Sequence, residues 1–386
     1  MMTPIDDDCN PWRSTYPCLA VHDTAAPSTQ SLFHAILAHS AFHLANLKES
    51  KPGRYHMTAT QHFGLALRHL RSSLASPTEN FSSTLAAILT VTLAEHVFHG
   101  QSKGLRHHLQ GAVQHVAQYV ARKPWAASYE SWVITQSFVL HTLMSQIMGD
   151  GMTNTPDTAI TLHEVFQDVL TDPRFAYTLG STPRLMKALY HARLLEIKLG
   201  ATGISRDGRP DLSEDDVLQA SQILFELNAP LNADVELYMT RHQPLPKPAQ
   251  QRKFIVSNLN IFKSAVTIFL LCTVLRYPPS AVAEQVLQVL SAAELLLKMD
   301  GAAPSIWPLF IASAEAYTPE MQALADCVLS LSVRVGATNR EVIQRVVKQI
   351  WRKREQVAAN QRSDVGETLV NWREVLQRLD IEILPL

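Results

Sequence analysis

Cysteine is scarce in this chain. Only Cys9, Cys18, Cys272 and Cys327 occur among 386 residues. No two form a C-x-x-C pair, which excludes zinc fingers, zinc ribbons and thioredoxin-type redox motifs. So few thiols in a long chain suit a reducing compartment, and Cys272 and Cys327, each alone in an apolar stretch, read as small buried groups. Charge is also low. Basic residues number 34 and acidic residues 35, a net charge of −1, and charged residues make up 18% of the chain, below the usual ~25%. A balanced chain does not bind nucleic acid through overall basicity. Long apolar runs are missing. The longest, 265–275, is interrupted by Thr267 and Thr273; it falls short of the ~20 residues of a membrane span and reads as a core helix. The start, Met1-Met2-Thr3-Pro4-Ile5 followed by three aspartates, has neither the positive region nor the apolar stretch of a secretory signal. Clean period-two alternation is absent, and Asp207-Gly208 has polar flanks rather than strands. No self-similarity at a fixed period of about 30–45 residues is visible, so a regular repeat array is not expected.

What is present is helical periodicity. Apolar residues are 46% of the chain, enough for a large core. They recur at three and four over 31–47, 56–74, 80–99, 102–122, 132–148, 159–170, 182–199, 213–228, 252–276 and 281–299. Ser213-Glu214-Asp215-Asp216 and Thr338-Asn339-Arg340-Glu341 have the capping-box pattern, the second opening a helix to about residue 357. Three alternating prolines at 244, 246 and 248 cannot be helical. They predict an exposed loop near 242–250. The expected fold is therefore all-α, an irregular assembly of roughly a dozen or more helices with no significant sheet. Length alone gives two or three domains at ~150 residues each.

Catalytic signatures are lacking: there is no G-x-S-x-G, Walker A or G-x-G-x-x-G. Of 16 histidines, the densest group is His96, His99, His107, His108 and His115, beside Glu95. His96 and His99 share a face at i and i+3, but H-E-x-x-H is absent and a metal needs three or four converging ligands. They read as ordinary helical histidines. Asp6-Asp7-Asp8 sits at the N-terminus, and Glu214, Asp215 and Asp216 are explained by a helix start. Cys18 or Cys272 can be a nucleophile only with a histidine that nothing in the spacing selects. No catalytic, cofactor-binding or metal-ligating residue is assigned. Arg345, Lys348, Arg352, Lys353 and Arg354 form the only basic cluster. With Val342, Ile343, Val346, Val347, Ile350 and Trp351 interleaved, it reads as a solvated face over a core face, with a weak nuclear-localisation signal as the alternative.

Several segments carry a resemblance. They are Asn10-Pro11-Trp12-Arg13; Leu32-Phe33-His34-Ala35-Ile36-Leu37-Ala38 with Ala41-Phe42-His43-Leu44-Ala45; Arg106-His107-His108-Leu109-Gln110-Gly111-Ala112; Trp307-Pro308-Leu309-Phe310-Ile311-Ala312-Ser313-Ala314-Glu315-Ala316; and Asn371-Trp372-Arg373-Glu374-Val375 with the apolar tail 381–386. In order and spacing they resemble the helical regulatory domain of fungal zinc-cluster transcription factors, in the subgroup of arginine-metabolism regulators. The W-P-L-F-I-A-x-x-E-A-like segment is the most specific. Trp307, Pro308 and Phe310 read as helix packing, and Gly111 as a site of close helix approach.

The resemblance implies an extended segment over 1–30 and a single helical regulatory domain over 31–386. Members of that family carry a six-cysteine, two-zinc DNA-binding cluster, which this sequence lacks. DNA contact is therefore not carried over, nor is a cofactor or metal. The implied role is transcription regulation of metabolic genes, secondary-metabolite genes included, in the nucleus. The implied partners are protein co-regulators or a DNA-binding protein, a small-molecule effector and a second copy of the chain, with no membrane and no direct nucleic-acid binding. A further expectation is an incomplete gene model, in which an upstream exon encoding the cluster was missed. The rival expectation is a small-molecule-binding protein or enzyme of a biosynthetic pathway, located in the cytoplasm. A closed apolar cavity near Trp125, Trp132 or His141 favours the rival, whereas a solid interior with an apolar surface patch favours the regulator.

Overall fold

In a computed structural model of the chain, the described residues are 12–49, 51–75, 80–99, 104–149, 156–172, 181–202, 210–241, 248–298 and 304–385. Among them are seventeen α-helices and no strand. The all-α expectation holds. Six helices begin on a proline, at Pro27, Pro124, Pro156, Pro183, Pro248 and Pro319; the missing N–H of proline would be unpaired in a first turn anyway, and its fixed φ already suits the helix. Contacts divide the chain into two compact units.

The N-terminal unit takes 6–175, 333–342 and 380–386. Its helices are α1 (Thr15–His22), α2 (Pro27–Lys48), α3 (Arg54–Leu74), α4 (Phe81–His99), α5 (Leu105–Ala117), α6 (Pro124–Ala127), α7 (Tyr129–Met148) and α8 (Pro156–Leu170). α2 packs along both α3 and α4, and α4 also packs on α5 and α7. α4 and α7 are buried nearly all round, as helices without a polar face must be. The returning segment is fastened by a 2.7 Å contact from His43 Nε2 to the Val335 carbonyl and by Asn46 Nδ2 donating to the Gly336 carbonyl at 3.1 Å. Gly336 has φ +76°, and a Cβ there would lie 2.6 Å from Leu47 Cδ2. Only glycine fits that turn without strain.

The C-terminal unit takes 176–332 and 343–379. It holds α9 (Pro183–Thr202), α10 (Glu214–Asn228), α11 (Asn232–Arg241), α12 (Pro248–Ile268), α13 (Ala283–Leu297), α14 (Ile306–Ala314), α15 (Pro319–Val333, to Ser332), α16 (Thr338–Gln361, from Ile343) and α17 (Trp372–Arg378). α12 runs into a six-residue π turn, Phe269–Val274, in which the Leu275 N–H donates to the Leu270 carbonyl at 2.9 Å. Arg276 then takes φ +55° and ends the helix ahead of Pro278 and Pro279. A left-handed residue followed by proline is a regular helix stop. The capping box at Ser213 is complete: its Oγ accepts from the Asp216 N–H, and the Ser213 N–H donates to Asp216 at 3.0 Å. Lys198 adds an ion pair to Asp216 at 2.6 Å, and together these hold the carboxyl down at about 2. Trp307 is fully buried between Phe262 and Phe269, with ring centroids 6.3 Å away in each case. Phe310 meets Trp372 edge-on at 5.2 Å. The packing role read for Trp307 and Phe310 is therefore what they perform.

Five local expectations change. Gly111 has open space where a Cβ would stand, so it does not mediate close helix approach. Cys272 is buried, but Cys327 is exposed. Thr338 is already helical, and the Arg340 N–H donates to Ala337, one residue before the expected box. α12 begins at Pro248, inside the expected loop, because proline is tolerated in a first turn; residues 242–247 lie outside the described ones, as do Cys9, the aspartates 6–8 and the Asn10-Pro11 pair. Finally, 249–274 and 279–297 are each long and apolar enough by composition to cross a membrane, although the apolar run at 265–275 is short. The first is mostly buried, and α13 lies against α12 with one face, Val286, Val289, Leu290 and Ala293, buried while Leu287 and Leu295 are exposed.

Candidate functional site

The basic cluster on α16 does not behave as one solvated face. Its apolar positions Val342, Ile343, Val346, Val347, Ile350 and Trp351 are buried as expected. Lys348 pairs with Asp326 at 2.7 Å and Lys353 with Glu374 at 2.7 Å, while Arg352 is exposed. Arg354, however, is only 1% exposed. Its Nη1 donates to the Ala314 carbonyl at 2.8 Å and its Nη2 to Glu315 at 2.6 Å. Trp351 Nε1 donates to the Ser313 carbonyl, also at 2.8 Å. The last carbonyls of α14 have no partners within their own helix. Here two side chains one turn apart on α16 satisfy two of them. The helical spacing that puts Arg354 beside Trp351 is what carries the charge inward.

Glu315 follows directly. It closes α14, is 5% exposed, and lines a half-open recess of about 60 Å³. Burial raises its carboxyl above the ordinary range, and Arg354 opposes that only in part. The recess is also lined by Glu196, Cys272, Thr273, Arg276 and the segment 369–373. All of these belong to the C-terminal unit. Glu196, from α9, receives both guanidinium nitrogens of Arg373, with Nη2 at 3.1 Å, and a third bond from Arg193 Nη1 at 2.6 Å. A carboxylate held in a bidentate fork plus a further arginine is fixed in place. Arg373 in turn lies over the Trp372 ring at 4.5 Å. This wall is rigid and charged, with an aromatic backing.

Two polar groups on the recess differ from these. Arg276 makes no ion pair or side-chain hydrogen bond among the described residues, and the second Glu315 oxygen, Oε1, accepts none. Arg276 reaches this position because the π turn and its left-handed φ carry the chain past the regular helix end. The Cys272 thiol is pushed well up by burial, and further by Glu315, so it stays protonated. No histidine lines the recess. These groups can bind and orient a polar ligand; they do not form a nucleophile–base pair.

The remaining sequence candidates are dispersed. His96 and His141 are buried, and burial lowers each to about 4. His141 Nδ1 lies 2.6 Å from the Ser137 carbonyl. His108 pairs with Glu95 at 3.0 Å, and His115 approaches the Phe81 carbonyl at 3.3 Å while stacking on its ring. His107 is exposed, and the side chain of His99 lies outside the described residues. No group of three or more potential metal ligands converges among the described residues. Trp125 bonds Asp168 at 3.2 Å, and Trp132 stacks on Tyr129. The recess lies elsewhere than these tryptophans and His141.

The site thus draws on two of the segments quoted for their resemblance: Glu315 lies next to the end of the first, and Asn371, Trp372 and Arg373 open the second. A family model described as the fungal specific transcription factor domain matches residues 1–385. The chain belongs to that family. A transcription-regulator type of role comes with membership. No curated protein and no solved structure matches the chain. Within the fungal specific transcription factor domain as it stands here, Glu315 and Trp372 are legible in the sequence only as motif letters. Glu196 and Arg276 carry no sequence signal at all, since their meeting depends on how α9 and the π turn pack.

Proposed function

We propose that this chain is the effector part of a transcription regulator of metabolic genes, secondary-metabolite genes included, working in the nucleus. The observation that carries the reading is the family match, which runs through both compact units. On the same ground we take both units to belong to one regulatory domain. DNA is read by a separate module or partner. Effector control is conformational: a ligand or protein that binds one helical arrangement better shifts the population toward it. The recess supports a small-molecule effector. Leu218 and Phe225 on α10, 70% and 72% exposed and two turns apart, support contact with a protein co-regulator.

The second reading is a small-molecule-binding protein of a biosynthetic pathway built on the same fold; the recess can hold a small polar molecule in that role too, although it is half-open and charged and lies elsewhere than Trp125, Trp132 and His141. One experiment separates the two. A tagged protein that concentrates in the nucleus, with a changed transcript profile on gene deletion, supports the regulator. A cytosolic protein whose deletion removes a metabolite and leaves transcripts unchanged refutes it.

A further inference from the structure

The recess has an asymmetric set of satisfied and open groups. Glu196 is saturated by Arg193 and Arg373. Glu315 is held by Arg354 through one oxygen only. Arg276 lines the same space with a guanidinium that no carboxylate among the described residues meets. A guanidinium offers a planar fork of donors matched to a carboxylate, and an open carboxylate oxygen accepts from a hydroxyl or ammonium. Arg276 and Glu315 form no ion pair with each other, so neither answers the other. A volume of about 60 Å³ holds several waters or one compound of a few heavy atoms. The recess also has a preorganised wall, because Arg373 is fixed between Glu196 and the Trp372 ring.

We infer that the recess binds a small carboxylate bearing a hydroxyl or amino group on the neighbouring carbon. The carboxylate sits on the Arg276 fork, and the neighbouring donor bonds Glu315 Oε1. This specifies the effector class of the regulatory reading and rests on that reading only for its biological role. Binding to the purified protein fails or succeeds independently of where the protein resides in the cell or which transcripts it changes.

The test uses the full chain and four probes of similar size, followed by thermal shift and calorimetric titration. L-lactate and L-alanine carry both groups, propionate lacks the donor, and ethanolamine lacks the carboxylate. Expected is a saturable rise in melting temperature with L-lactate or L-alanine, roughly 2 °C at about ten times Kd. Which of the two binds more tightly tells a hydroxy acid from an amino acid. Propionate and ethanolamine should bind about tenfold or more weakly, propionate losing the hydrogen bond to Glu315 and ethanolamine the charge-assisted contact with the Arg276 fork. Arg276→Gln keeps a side chain of similar reach at the same backbone position and should lose binding by a similar factor while melting within a degree or two of the parent. No saturable shift with either L-lactate or L-alanine overturns the inference. So does equal binding of propionate, or equal binding by the Arg276→Gln protein.

Discussion

Arg354→Met removes the one cation that touches Glu315 among the described residues, while keeping an apolar stem of similar length. The parent pair is 1% and 5% exposed, with nitrogen and oxygen 2.6 Å apart. Removing one partner of a buried pair leaves the other uncompensated, at a cost of about 3–5 kcal/mol. The Ala314 carbonyl loses its donor too. The effect should depend on pH with a definite sign. Burial already raises the Glu315 carboxyl despite Arg354, and without the arginine it rises further. A carboxyl whose folded pKa lies above its unfolded value stabilises fully below the unfolded value and loses that contribution as pH climbs through the folded one. The Arg354→Met deficit should therefore be larger at pH 8 than at pH 5. Adding Glu315→Gln should recover much of the pH 8 loss, because a neutral amide needs no counter-charge. Urea unfolding followed by far-UV circular dichroism gives the midpoint shift, valid where the slope is unchanged. A loss below about 1 kcal/mol with no pH dependence would refute the reasoning, for it would mean that water in the recess solvates Glu315 as a surface group.

Two further outcomes test the N-terminal unit. His96 and His141, held at about 4 by burial, contribute nothing to stability above the ordinary histidine value of ~6.5, where both states are neutral. Below it the unfolded chain takes up protons first, so stability should fall between pH 6.5 and 4, by up to about 2 kcal/mol per histidine at pH 5. Melting temperatures at pH 7, 6 and 5 check this, and His141→Gln should flatten the profile; a parent equally stable at pH 5 and 7 contradicts it. Gly336→Ala should destabilise by about 1–3 kcal/mol, through its left-handed φ and a Cβ set against Leu47. Gly111→Ala, in open space within a helix, should stabilise by about 0.5–1 kcal/mol. Scanning calorimetry of the two variants should move the melting temperature in opposite directions.

Helices were legible because their signals are local. Apolar spacing, the Ser213 box and the Pro278-Pro279 stop each act within a few residues, and the observed bounds of α10 and the end of the α12 cylinder at Val274 follow them closely. Burial of Trp307 was legible for the same reason: an aromatic in an apolar run has nowhere else to go. Arg354 was misread because its own neighbours, Arg352 and Lys353, argue for solvent. What draws it inward is a carboxylate and a carbonyl some forty residues earlier in the chain. The recess fails to show in sequence on the same principle. Glu196 and Arg373 are 177 residues apart, and no local pattern links an acid in α9 to an arginine in α17. Cys327 shows the converse, an apolar stretch that packs while one of its members faces out.

The π turn between α12 and Pro278 is a register device. Its i-to-i−5 bond from Leu275 to Leu270 accommodates an additional residue within an otherwise continuous cylinder. Deleting one residue there would restore α geometry and leave the chain beyond the turn in register, because the turn already absorbs the extra residue. Cys272 and Thr273, within the turn, would face another direction, while the apolar length feeding the core would hardly change. A single-codon deletion in 269–274 is therefore a route by which relatives with the same fold and the same core could differ in whether they own the recess at all.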